Sequence, residues 1–278
     1  MTDNGKLTIR HEPVVDTFDL LGTTVSFWRS GSGEPILVLH DDTGHGTWGR
    51  FLDGLADRFT VLAPAMPGFP PSTVPDWMRS VPEMAAMMQQ VVDRLGLGPC
   101  TVVGFGFGAW VAAEMQVQCP TRFSRMVLAA PVGIKPHEGE IVDRFLFGEE
   151  RFVEMGFADK AHYVEAFGDP DEVLLLTWEG AREMSTRIAW KPYMFDRALP
   201  HLLAGATVPT LVLWGEGDAI VPRSCAEQYA QIMPNATLAT LPGGGHRLDL
   251  ELPDEVARLV HEFVSDDSRT STTMERTT

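Results

Sequence analysis

Runs of apolar residues recur along the chain, separated by stretches with helical periodicity. Ile36-Leu37-Val38-Leu39, Phe59-Thr60-Val61-Leu62, Thr101-Val102-Val103-Gly104-Phe105, Met126-Val127-Leu128-Ala129 and Leu211-Val212-Leu213-Trp214 are almost uniformly apolar. Strands covered on both faces read this way, as in a parallel sheet between helices. Thr23-Thr24-Val25-Ser26-Phe27-Trp28 alternates better and suits an antiparallel edge strand. Between the runs, Ser80 and Glu83 have the spacing of a capping box with Pro82 in the first turn. Met84, Met87, Met88, Val91 and Leu95 follow as one apolar helix face, read as core packing. Val256, Leu259, Val260 and Phe263 mark a last helix. Strands alternating with helices predict an α/β fold with a mostly parallel, doubly wound sheet.

The rhythm breaks over 136–200, which holds helical segments and no strong strand. It lies between two sheet strands and is expected to form a helical cap over the C-terminal edge of the sheet. The core is then expected over 1–135 and 201–264. The polar, Ser/Thr-rich stretch 265–278 is expected to be a disordered tail.

The chain has 278 residues, 44% hydrophobic, with a formal net charge of -16. That size suits one large α/β domain. The acidity and the lack of a basic run exclude nucleic acid as a main partner. Cys100, Cys119 and Cys225 are too few and too scattered for a zinc knuckle or a disulfide framework. The N-terminus has no apolar core of a signal peptide, and no apolar run approaches the roughly 18 residues of a membrane span. A cytoplasmic location without membrane association is expected. The sequence leaves open whether the chain is a monomer or a homodimer.

Chemistry concentrates in four segments. Gly104-Phe105-Gly106-Phe107-Gly108 follows an apolar strand and opens a helix over 109–118, the setting of a G-x-S-x-G nucleophile elbow, with Gly106 at the central position. His40-Asp41-Asp42-Thr43-Gly44 follows the strand at 36–39. Trp214-Gly215-Glu216-Gly217-Asp218 and Gly243-Gly244-Gly245-His246 come later, in the order elbow, acid, histidine.

These segments, with Ala65-Met66-Pro67-Gly68-Phe69-Pro70-Pro71-Ser72, resemble the α/β-hydrolase superfamily over nearly the whole chain, roughly 18–264. The resemblance implies Asp218 as the triad acid and His246 as the catalytic histidine. It implies the Phe107 and Asp42 backbone N–H groups as the oxyanion hole, in a loop similar to the family's H-G-x-x-G. Two departures matter. Gly106 has no side chain to form an acyl-enzyme, and Asp41 stands where that loop has glycine. His40, Asp41 and Asp42 are candidate acid/base or substrate contacts, although an Asp42 that fixes its own loop by hydrogen bonds is the simpler reading. His40, Asp42 and His45 fit no metal motif, so no metal and no cofactor are expected.

The segment 136–200 is rich in aromatics. With Phe105 or Phe107, some of them, Phe145 and Trp178 in particular, are expected to line an apolar pocket for a hydrophobic small molecule. Arg144, His162 and Glu179 are expected in solvent or in surface pairs. His246, oriented by Asp218, would act as general acid/base on a carbonyl substrate without covalent catalysis. Two alternatives stand beside this reading: a pseudohydrolase that only binds a ligand, and an ordinary serine hydrolase inactivated at position 106. A wet polar cavity at Gly106 would favour catalysis, and a pocket filled by Phe105 or Phe107 would favour binding.

Overall fold

The computed structural model describes residues 9–266. Eight strands form one sheet: β1 (Val14–Leu20), β2 (Thr23–Gly31), β3 (Glu34–Leu39), β4 (Phe59–Pro64), β5 (Cys100–Phe105), β6 (Phe123–Ala129), β7 (Thr210–Gly215) and β8 (Ala236–Leu241). Their order is β1-β2-β4-β3-β5-β6-β7-β8. β1 and β2, and β2 and β4, pair antiparallel, and every other pair is parallel. β2 is therefore not an edge. β1, unforeseen in the sequence, covers it, as β8 covers the opposite side of β7.

Helices pack on both faces. α1 (Arg50–Leu55) and α10 (Pro253–Ser265) lie on one face, where Phe51, Leu55, Val256, Val260 and Phe263 meet Ile36, Val61, Val103 and Leu213. α2 (Val81–Arg94), α3 (Phe107–Gln118) and α8 (Arg223–Ile232) cover the other, with the methionine face of α2 in that core. Ser80 Oγ accepts from the Glu83 N–H at 3.3 Å, but Glu83 returns its carboxylate to the Arg79 N–H, one residue before the reciprocal position of a capping box.

A single 3-10 turn (Arg144–Leu146) and helices α4 (Glu149–Met155), α5 (Lys160–Phe167), α6 (Glu172–Ala189) and α7 (Leu199–Leu203) lie between β6 and β7. Val153, Phe157, Tyr163 and Trp178 form a small apolar cluster of this segment's own. α9 (Leu248–Glu251) is one short turn before α10. The expected tail at 265–278 lies outside the described residues except for Ser265, which ends α10, and Asp266. Among the described residues, no helix is long and apolar enough to cross a membrane.

The sheet order reverses direction between β3 and β5, since β3 leads through α1 to β4 on one side and α2 then returns the chain to β5 on the other. The crevice beyond the carboxyl ends of strands at such a switch point is where open α/β sheets bind ligands. Asp41 follows β3, Gly106 follows β5, Asp218 follows β7 and His246 follows β8, so all four meet at that end.

Candidate functional site

The turn from β5 into α3 is made at Gly106, with φ +47° and ψ -106°. A side chain is strained at such a φ, and glycine is not. Gly108 next to it packs against the backbone carbonyls of Leu39 and His40, closer than any Cβ would allow. This contact brings the start of α3 against the loop after β3.

The Asp41 carboxylate fills the space beside Gly106. A Cβ on residue 106 would overlap Asp41 Oδ1. Oδ1 accepts from the Phe107 N–H at 2.8 Å. Oδ2 lies 3.0 Å from His246 Nε2 and 3.1 Å from Arg247 Nη1. Arg247 also donates to Thr43 Oγ1. The space at Gly106 is thus neither a wet cavity nor filled by Phe105 or Phe107.

His246 Nδ1 lies 2.9 Å from Asp218 Oδ2. Asp218 is itself pinned, because its Oδ1 accepts from the Ile220 and Val221 N–H groups at 2.8 Å each. The carbonyl of Gly156 accepts from the N–H of both His246 and Arg247, which ties the histidine loop to the segment between β6 and β7. Burial alone would drive the His246 imidazole neutral. The Asp218 and Asp41 carboxylates outweigh it and lift the pKa to about 10, so the ring is an imidazolium at neutral pH. Burial pushes the Asp41 carboxyl up, but His246, Arg247 and the Phe107 N–H overcome this and hold it below the usual carboxylate range. The four groups form a buried chain of alternating charge: Asp218, His246, Asp41, Arg247.

The Asp42 side chain is paired with a cation. Its Oδ2 pairs with Arg144 Nη1 at 2.9 Å, and Arg144 also reaches Glu149 at 2.5 Å and Ser185 Oγ at 3.2 Å. The Arg144 side chain is 0% exposed, so it is no surface residue as expected but the centre of a buried network that joins the Asp42 loop to α4 and α6. Burial pushes the Asp42 carboxyl up, with Arg144 opposing. His162 is half-buried near Glu251, at 3.4 Å, and Glu179 is exposed.

His40 accepts from the Met66 N–H through Nε2, at 2.9 Å, which leaves Nδ1 to donate to the Asp41 carbonyl at 2.7 Å. Burial lowers its pKa to about 4, so it is neutral and anchors the loop. His45 Nε2 donates to the Ala63 carbonyl and burial lowers its pKa to about 3. His40, Asp42 and His45 therefore turn to separate partners.

Two cavities flank Asp41. One, about 380 Å³, is lined by Asp41, Arg247, Phe51, Phe105, Phe167 and Trp178 among others. The other, about 10 Å³, lies between Asp41, Phe107 and His246. Phe105 and Trp178 thus line a cavity of about 380 Å³. Phe145 does not: it packs edge-on against Trp190 and lines an open surface groove with Arg182 and Glu179. Arg247 was not singled out in the sequence, and its position directly after His246 was the one available signal.

An eight-stranded, mostly parallel sheet wrapped by helices, with an acid and a histidine on the loops after its last two strands, defines an α/β-hydrolase fold. Residues 36–259 match the model of the alpha/beta hydrolase family, and the chain belongs to that family. It is similar to a dihydrolipoyllysine-residue acetyltransferase component of the acetoin cleaving system of Cupriavidus necator, at 28% identity over 88% of this chain and 68% of the relative. It is also similar to a 2-hydroxy-6-oxo-6-phenylhexa-2,4-dienoate hydrolase of Burkholderia cepacia, at 25% identity over 85% of this chain and 89% of that one. A solved meta-cleavage product hydrolase from Pseudomonas fluorescens shares the fold, with TM-score 0.77 and 20% identity over 90% of this chain and 97% of the other.

Proposed function

We propose that the chain is an enzyme acting on a hydrophobic small molecule with a carbonyl group. In this reading Gly106 stands at the family's nucleophile position, and His246 and Asp218 act as the acid/base pair in a hydrolysis or carbon–carbon cleavage. One observation carries it: His246 Nδ1 is fixed on a pinned Asp218, while Nε2 points 3.0 Å from an oxygen lying beside a residue without a side chain. That is the orientation a proton-transfer imidazole needs. A substrate carbonyl oxygen that displaces the Asp41 carboxylate gains the Phe107 N–H, with the Asp42 N–H as the second oxyanion donor. It also takes from His246 one of the two carboxylates that hold its proton, which frees that proton for transfer. The phenyl and oxo groups in the name of the Burkholderia relative's substrate agree with the aromatic lining and with a carbonyl target.

A second reading, ligand binding without turnover, is favoured by one observation. The Phe107 N–H and His246 Nε2 are both already engaged by Asp41. A panel of aryl esters and vinylogous 1,5-diketones, assayed on the unmodified protein and on His246→Ala and Asp218→Asn, separates the two. Catalysis predicts a rate that falls by about 10²–10⁴-fold in His246→Ala, the usual share of a general acid/base. A signal that both variants retain, or none at all beside measurable ligand binding, overturns the enzymatic reading.

A further inference from the structure

We propose that Asp249 binds a protonated amine: the cavity of about 380 Å³ takes a hydrophobic molecule that carries an ammonium group, with its carbon skeleton among the aromatic rings and its nitrogen on the Asp249 carboxylate. The proposal rests on the reading of that cavity as the place of the small molecule, and it names one chemical feature of the guest.

The first observation is a carboxylate without a partner. Asp249 stands in the first turn of α9 and lines the cavity with Asp41, Arg247, Phe105, Phe167 and Trp178. It is half-buried, and among the described residues it forms no ion pair and takes no hydrogen bond from another residue. By contrast, Asp41 has His246 and Arg247, Asp42 has Arg144, and Asp218 has His246. Glu251, two residues on, accepts from the Gly245 and Asp159 N–H groups. Arg247 draws on the Asp249 charge, but its two terminal nitrogens donate to Asp41 and Thr43. Burial pushes the Asp249 carboxyl up, Arg247 opposes this, and the Asp41 charge adds to the rise. The other charges on the cavity wall are engaged or exposed: Arg50 pairs with Asp254, His162 lies by Glu251, and Glu165 is open to solvent.

The second observation is the wall around it. Leu250, the next residue, packs against the cluster of Phe157, Tyr163 and Trp178, which sets α9 against the aromatic side of the cavity. A hydroxyl on a guest would hydrogen-bond to Asp249 and leave its charge uncompensated. An ammonium supplies the hydrogen bond and the opposite charge together, and the faces of aromatic rings attract it as well. The formal net charge of -16 raises the concentration of cations near the protein and lowers that of anions. The chain of Asp218, His246, Asp41 and Arg247 is closed on itself, so an ammonium on Asp249 takes no partner from it. Arg247 and Asp41 both act on the Asp249 charge, so one small molecule spans the distance from Asp249 to Asp41.

Calorimetric titration with 3-phenylpropylamine and 3-phenylpropan-1-ol, which differ only in the end group, tests this. The unmodified protein is expected to bind the amine about tenfold more tightly, the advantage of a charge-assisted over a neutral hydrogen bond. Asp249→Asn is expected to abolish that preference while the affinity for the alcohol stays within about twofold, which reports an intact cavity. Asp249→Glu keeps the charge and is expected to keep the preference, as is Glu165→Gln, whose carboxylate is exposed. Equal affinity of the unmodified protein for the two probes, binding of neither, or a preference that survives Asp249→Asn overturns the proposal. His246-dependent turnover of carbonyl probes without an amine preference leaves the enzymatic reading standing while this inference fails. A preference that Asp249→Asn removes, with no carbonyl probe turned over, leaves this inference standing beside ligand binding.

Discussion

Asp41 Oδ1 and the Cβ of any residue larger than glycine at position 106 compete for one volume. Glycine at position 106 and aspartate at position 41 are therefore complementary, one leaving the room that the other fills.

Gly106→Ser alone should not restore a serine enzyme. It forces a side chain into a filled space at φ +47°, and is expected to destabilise the protein by about 1–3 kcal/mol in urea unfolding, the range for overpacking. Gly106→Ser with Asp41→Gly removes the overlap. It is expected to recover most of that stability and to gain p-nitrophenyl esterase activity that His246→Ala abolishes. A single variant as stable and as active as the double one contradicts this complementarity.

Arg144 holds two carboxylates, Asp42 and Glu149, in a site its own side chain shares without exposure. Removing one partner of a buried ion pair typically costs about 3–5 kcal/mol, because the charge left behind has no solvent. Arg144→Met is expected to lose stability in that range by urea unfolding, and Arg144→Met/Asp42→Asn to regain part of it. A surface arginine would shift the midpoint hardly at all.

The folded-state pKa of His246, about 10, lies above its ordinary value of 6.5. Its contribution to stability is therefore complete below pH 6.5 and is lost as pH rises through about 10, because above 6.5 the folded state binds a proton the unfolded chain has released. Asp41, held below its ordinary value of 3.8, works in the other direction, and its contribution disappears only as pH falls below that value. Unfolding free energy is expected to decline from pH 6.5 to 10, and His246→Gln to flatten that decline. An unchanged slope in the variant would place the titration elsewhere.

Trp178 is 2% exposed, lines the large cavity and meets Phe167 edge-on at 5.1 Å. A hydrophobic guest in that cavity is expected to change the tryptophan emission of the protein. Trp178→Phe is expected to remove most of that change and to alter the affinity less than tenfold, since an aromatic ring remains. A response that survives the substitution would mean the guest binds elsewhere.

The central strands were legible because burial on both faces leaves a uniformly apolar run, which needs no knowledge of the partner. β8 was not, because Thr237 and Thr240 break up its apolar residues on a half-buried edge strand. Asp218 and His246, which meet at 2.9 Å, were legible as candidates from their local glycine-flanked segments. What the sequence concealed depends on partners far away. Arg144 meets Asp42 across 102 positions and Arg247 meets Asp41 across 206, so neither charge shows in its own neighbourhood that it is buried. Asp41 was noticed as a missing glycine, but its place in the volume beside Gly106 follows only from the approach of two adjacent strand ends.

The alternating chain of Asp218, His246, Asp41 and Arg247 sums to zero within a protein of formal net charge -16. The site is electroneutral inside an anionic shell. A neutral guest enters without crossing that repulsive field or upsetting the internal balance, whereas an anionic one meets both. The charge distribution is expected to favour an uncharged hydrophobic guest over an acid of the same shape, and the affinities of a neutral aryl ester and its free acid would check this.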